Sequence, residues 1–254
     1  MKSLLVLLCA AGSARAVSLP GESNQALPCR PTISCTADLA VPGTVELELG
    51  YLFQRLAPPV LQHSVPFLLK VTLAKWAQLQ IGGNGPVVAP GARPSSYFDN
   101  LDVGLKLRLR EQSTRAPSVS WSVAAAFPVD SAPGYQRAYN LAWTGYLSKD
   151  LGRFHIDLNA GVTLWRLEGI PQIQPWVALA ASVSLPRRFG LAVETYYFGP
   201  ARPLSADDGG VRLVVTYSPR GFIVFDIGAD AGWFPSQRAV SAFAGLTVVP
   251  VALW

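Results

Sequence analysis

The sequence predicts an all-β chain folded as an antiparallel transmembrane β-barrel of about twelve strands, with N- and C-termini both periplasmic. Three observations predict it. Segment after segment alternates apolar and polar residues with a period of two, the mark of a strand with one apolar face. Half the chain (50%) is apolar and only 15% is charged, with a mean hydropathy of +0.28. Yet no run of some 20 apolar residues offers a spanning helix. A hydrophobic chain without such a helix crosses a bilayer as a closed barrel, where every backbone group is paired.

The start of the chain names a compartment. Lys2 precedes a short apolar core, Leu4 to Ala11, and Ala14-Arg15-Ala16 offers small residues at the two positions a signal peptidase reads. Residues 1–16 therefore read as a signal peptide cleaved after Ala16, which also removes Cys9. Residues 17–42 follow as a periplasmic N-terminal lead that is rich in proline and carries Cys29 and Cys35. In an oxidising compartment this pair is a disulfide or, less simply, two unpaired thiols. Zinc would need further ligands close by, and none are there. Residues 43–254 remain for the barrel.

The strands run in order. Val45, Leu47, Leu49, Tyr51 and Phe53 share one face of the first, with Glu46 and Glu48 on the other. A loop with Pro58-Pro59 and His63 precedes Phe67, Leu69, Val71 and Leu73, which alternate with Lys70 and Thr72. A tight turn at Ala74-Lys75-Trp76 leads to Ala77, Leu79 and Ile81, and then a long Gly/Pro/Ser loop runs to Phe98. The fourth strand sets Leu101, Val103, Leu105, Leu107 and Leu109 against Asp102, Lys106, Arg108 and Arg110. Val119 to Phe127 and Tyr139 to Leu147 make the fifth and sixth, and Phe154 to Leu164 the seventh, opposed by His155 and Asp157. Val177–Leu185, Leu191–Tyr197 (with Glu194), Val211–Tyr217 (with Arg212) and Ile223–Ala229 (with Asp226 and Asp230) follow. The last strand starts at Val240 and ends on Trp254, a terminal aromatic like the insertion signal of outer-membrane barrels.

Short turns alternate with longer loops, as expected of short periplasmic turns and longer outer loops. A soluble sandwich also alternates, but here the polar face mixes Gly, Ser, Thr and charges of both signs, which suits a hydrated lumen.

Three stretches carry a family resemblance: Pro42 to Tyr51, the hairpin Pro66–Ile81, and Leu101-Asp102-Val103-Gly104-Leu105-Lys106. Together they resemble the outer-membrane barrels labelled as transporters of the meta-pathway of phenol degradation, although Lys75-Trp76 at the hairpin turn departs from the common pattern. The resemblance implies an outer-membrane protein passing small hydrophobic or aromatic compounds.

The candidate transport residues are those expected in the lumen: Glu46, Glu48, Lys70, Asp102, Lys106, Arg108, Arg110, His155, Asp157, Glu194, Arg212 and Asp226, with Asp230 beside them. Such a mixture either pairs into a network that narrows the barrel or lines a hydrated path. Trp76 and Trp165 are expected to reach inward too. A barrel of this size has a backbone diameter of roughly 20 Å, so side chains decide between channel and plug.

An enzyme would need a serine such as Ser148 or Ser184 within reach of His155 and Asp157. A lumen histidine in a hydrogen-bond network is the simpler expectation. Gly82-Gly83-Asn84-Gly85 lacks the Lys-Ser/Thr of a phosphate loop. No enzyme activity, cofactor or metal is expected, and the scattered basic residues form no nucleic-acid stripe. The expected function is passive passage of small hydrophobic or aromatic solutes across the bacterial outer membrane. The expected partners are membrane lipid and lipopolysaccharide, the barrel-assembly machinery and the solute. The alternatives are a closed-lumen structural or surface-interaction barrel, and a lipid-acting barrel enzyme.

Overall fold

The structure, a computed structural model, describes residues 25–253 except 31, 57–59, 92–94, 128, 130–139, 168–169, 201–206 and 234–237. The signal peptide expected at 1–16, Tyr139 and the terminal Trp254 lie outside the described residues. Strands form at β1 (Thr44–Leu56), β2 (Val60–Ser64), β3 (Phe67–Ala74), β4 (Ala77–Gly83), β5 (Pro86–Val88), β6 (Ser96–Phe98), β7 (Leu101–Arg110) and β8 (Ser118–Phe127). They continue with β9 (Asn140–Leu151), β10 (Phe154–Leu167), β11 (Ile170–Ser184), β12 (Phe189–Phe198), β13 (Asp208–Arg220), β14 (Ile223–Gly232) and β15 (Arg238–Ala252). Twelve of them, β1, β3, β4 and β7 to β15, pair antiparallel in chain order, and β15 pairs back on β1 to close the ring. Closure leaves none of the twelve ring strands at an edge of the sheet, the condition for crossing lipid with strands.

The polarity is inverted relative to a soluble protein. Leu105, Trp121, Trp143, Leu158, Leu179, Val193, Leu213 and Ile227 are exposed on the outside. Glu46, Lys70, Lys106, Ser120, Asn159, Glu194, Arg212 and Thr247 are buried on the inside. A sandwich would bury its apolar faces against each other, so the alternation belongs to a lipid-facing wall around a polar lumen. One test follows. Leu179, centred among Leu158 of β10 and Thr195 of β12, faces outward. Leu179→Arg is expected to cost about 2–4 kcal/mol at the bilayer midplane, read as the urea midpoint in vesicles. An unchanged midpoint would remove the lipid-facing assignment.

Several elements differ from the sequence expectation, each for a local reason. The three short strands β2, β5 and β6 lie where loops were expected. They continue the rows of β3, β4 and β7 beyond breaks at Pro66, Gly83–Gly85 and Asp99–Asn100, with β2 pairing the upper half of β1. Gly85 needs its left-handed φ of 63° there. The loop expected after Leu164 is instead a long hairpin, with Leu167 opposite Ile170. Pro171 and Pro175 lie before the β11–β12 pairs begin at Trp176. At Pro175 the carbonyl accepts from Gly199 N at 2.8 Å, and Gly199 O accepts from Gln174 Nε2 at 2.9 Å in place of the missing N–H.

A bulge between Arg108 and Arg110 places Arg110 opposite Val119 rather than Ser118 or Ser120. Arg110, expected in the lumen, thus leaves the lumen-facing row and is exposed. A second irregularity at Val249 and Pro250 of β15, where β1 steps from Val45 to Leu47, breaks the period near the C-terminus. Trp76, expected to reach inward, is 62% exposed at the β3–β4 turn.

The largest difference concerns the lead. Residues 25–30 and 32–42 do not hang outside the barrel but run within it, with the backbone N–H groups of Leu27, Cys29, Arg30, Ile33, Ser34, Cys35 and Ala37 donating to side chains of the inner wall. Ala26 N donates to Gly221 O in the β13–β14 turn and packs on Val224, Val249 and Phe222. The chain rises from there, turns over near Arg30–Ile33, and descends to Gly43, whose N–H donates to Thr72 O. The result is a hairpin-shaped plug, entered and left at the end of the barrel that carries the short turns.

Candidate functional site

Buried carboxylates on the wall hold the plug. On β1 each glutamate divides its two oxygens between one lysine and the plug backbone. Glu46 Oε1 pairs with Lys70 Nζ at 2.5 Å and its Oε2 accepts from Leu27 N at 3.0 Å. Glu48 Oε1 lies 2.6 Å from Lys70 Nζ and accepts from Cys29 N at 3.0 Å, while its Oε2 accepts from Arg30 N at 2.7 Å. Lys70 also donates to Leu27 O at 2.6 Å. All three side chains are buried, so the surplus negative charge rests on plug N–H groups instead of water.

Across the lumen, Glu194 of β12 receives the turn of the plug: Ile33 N at 2.9 Å, Ser34 N at 2.6 Å and Ser34 Oγ at 2.6 Å. Arg212 lies 3.6 Å from Glu194 and pairs with Asp230 at 2.7 Å. Its guanidinium sits over the rings of Phe243 and Tyr196.

The descending limb is held by Asn159, Ser148 and Ser120 and by the Lys106 ammonium, which donates to Thr36 O. Asn159 Oδ1 accepts from Cys35 N at 2.6 Å and its Nδ2 donates to Cys35 O at 2.9 Å. Ser148 Oγ accepts from Ala37 N at 2.6 Å and donates to Asp157 at 2.5 Å. The sulfurs of Cys29 and Cys35 are bonded across a Cα–Cα distance of 4.5 Å, closing the top of the hairpin.

The expected lumen residues therefore fall into separate groups. Glu46, Glu48 and Lys70 meet on one wall, and Glu194, Arg212 and Asp230 on another. His155 joins Asp157 at 3.0 Å and Asp150 at 2.6 Å near the short-turn end. Both of its ring nitrogens are engaged by carboxylates, and Ser148 donates to Asp157, so this cluster assembles no serine–histidine relay. Arg108 pairs locally with Glu111 at 2.5 Å. Lys106 is buried over the Tyr146 ring. Asp226 faces Gly245. Among the described residues no group of three His, Cys, Asp or Glu side chains is placed to hold a metal.

Above the plug, toward the end with the longer loops, a cavity of about 420 Å³ opens. Cys29, Arg30, Thr32 and Ile33 line it from the plug, and Leu52, Phe67, Leu68, Gln80, Asp102, Arg212 and Phe243 from the wall. Arg30 donates to Pro66 O at 2.6 Å. Burial lowers its guanidinium from its ordinary pKa, and Asp226 and Glu48 pull it back up; it stays charged. Asp102, expected in the lumen, stands on this cavity wall.

Ser34, Asn159 and the plug's own N–H groups were not singled out by sequence, and Ser148, named there only as a possible nucleophile, instead holds Ala37 N. The one available signal was the excess of inward carboxylates on β1, where two glutamates face a single lysine.

No protein-family model matches the sequence, and no curated protein is similar to it. Solved structures are. An outer membrane channel from Pseudomonas putida F1 superposes with a TM-score of 0.61 at 10% identity, over 91% of this chain and 99% of that one. The fold is that of outer-membrane channels. The NanC porin (TM-score 0.55, 8% identity) and the KdgM porin (0.52, 10%) each match 80% of this chain and 98% of their own. At these identities the likeness of this barrel to the others is one of fold.

Proposed function

We propose that this chain is a bacterial outer-membrane barrel giving passive passage to small hydrophobic or aromatic solutes, with the lead as a plug that restricts the lumen. The observation that carries the reading is the cavity whose floor is the plug tip. Leu52, Leu68 and Phe243 offer a wall for an apolar body, while Gln80, Asp102 and Arg30 offer polar groups to orient it. Its likeness in fold to an outer membrane channel and to porins supports passage. The sequence resemblance to transporters of the meta-pathway of phenol degradation supports the class of solute.

In this reading the signal peptide is removed after Ala16, and the short turns and both termini face the periplasm. Lipid, lipopolysaccharide and the assembly machinery are the partners. The lumen charges position the plug and border the path, with no catalytic step and no cofactor. A second reading, a closed structural barrel, is favoured by the many bonds that seat the plug.

Liposome swelling with the full chain separates the two. Swelling with small aromatic compounds in preference to sugars of similar size is expected. Impermeability to both, from a heat-modifiable folded barrel, would replace passage with the closed reading.

A further inference from the structure

The two sulfurs of the plug sit in unlike surroundings. Cys29 lines the cavity and is reached from it. Cys35 lies behind it, buried with Ala37 and Tyr146. Each sulfur has a lysine ammonium beside it: Lys70 at 3.8 Å from Cys29 Sγ and Lys106 at 3.6 Å from Cys35 Sγ. The charge of Lys70 is already met by Glu46 and Glu48. Lys106 is 1% exposed. Its contacts are Thr36 O, the Cys35 sulfur and the face of Tyr146, 4.3 Å from the ring centre. Among the described residues no carboxylate pairs with it. A buried cation that no carboxylate touches directly is poorly compensated, and a thiolate on Cys35 would lie 3.6 Å from it.

We propose that the Cys29–Cys35 disulfide is a thiol–disulfide exchange site for a low-molecular-weight thiol entering the cavity, with Cys29 attacked and Cys35 the leaving group, stabilised by Lys106. The entering thiolate forms a bond to Cys29 Sγ as the Cys29–Cys35 bond breaks, and the electron pair leaves on Cys35 as a thiolate beside the ammonium. A second thiolate then attacks the sulfur of the bound thiol, releasing the small disulfide and leaving Cys29 reduced. Two thiols are oxidised and one protein disulfide is reduced. Exchange runs faster when the departing thiolate is better stabilised, so Lys106 is a positioning residue that selects which sulfur departs. This chemistry is independent of whether the lumen conducts.

The test treats the oxidised full chain, folded in detergent, with reduced glutathione. Samples are acid-quenched over time and adducts are located by mass spectrometry. The expected early species is a glutathione adduct on Cys29 with Cys35 free. Lys106→Met is expected to slow its appearance about ten-fold, and Lys106→Arg to restore it. An adduct on Cys35, equal rates in wild type and Lys106→Met, or no exchange in a folded barrel would each overturn the proposal. Should Lys106→Met fail to give a heat-modifiable barrel, the adduct position in the wild type and the rate in Lys106→Arg decide alone.

Discussion

Lys70→Met is expected to lower the stability of the barrel by about 3–5 kcal/mol, the cost of removing one partner from a buried ion pair. The reason lies in what would remain. Glu46 and Glu48 share this one ammonium at 2.5 and 2.6 Å, and both are enclosed between wall and plug. Without it two carboxylates face each other across adjacent inward positions of β1, supported only by N–H groups of Leu27, Cys29 and Arg30. Urea unfolding, followed by the loss of the heat-modifiable form, reads the effect. Adding Glu46→Gln and Glu48→Gln to Lys70→Met is expected to recover much of the loss, since neutral amides need no counter-ion. A midpoint unchanged in Lys70→Met would mean the glutamates are not held as a charged cluster.

Glu194→Ala is expected to free the turn of the plug while leaving the wall intact. Its carboxylate accepts from Ile33 N, Ser34 N and Ser34 Oγ, and hydrogen bonds to a charged group contribute about 1.5–3 kcal/mol each. Losing even about 3 kcal/mol raises the released population roughly a hundredfold. The direct readout is hydrogen exchange at the amides of Ile33 and Ser34, which should speed by that factor while strand amides of β12 keep their protection. Higher single-channel conductance should accompany it if the plug restricts passage. Unchanged exchange at both amides would show that Glu194 does not seat the turn.

Much of the wall was legible in the sequence because lipid and lumen impose opposite demands on alternate residues. A period-two pattern such as Leu101–Arg110 then has one consistent meaning. What the pattern could not carry were events that break it by one residue. The bulge that turns Arg110 outward and the step at Val249–Pro250 have no compositional mark. The prolines at 171 and 175 are tolerated in a strand because they lie before the β11–β12 pairs begin and the Gln174 side chain stands in for the N–H that Pro175 lacks.

The site was less legible still. Glu46, Glu48 and Glu194 are buried on the inside of the ring. Their partners include backbone N–H groups of an aperiodic segment, and a backbone amide looks the same at every position of a sequence. Lys70 and Lys106 were likewise indistinguishable until their neighbours were known, since one lies between two carboxylates and the other beside a sulfur and an aromatic face.

The hairpin course of the lead fixes where its two ends stand. Ala26 at one end rests on the β13–β14 turn, and Gly43 at the other begins the wall beside Thr72. Both feet of the hairpin therefore stand at the same mouth. Such a segment is not threaded through the ring like a string through a bead, even though it touches β12 across 160 residues of chain. Its bonds to the wall are distinct from the bonds between strands. The ring is closed by the β1–β15 seam, and the stopper contributes nothing to that seam.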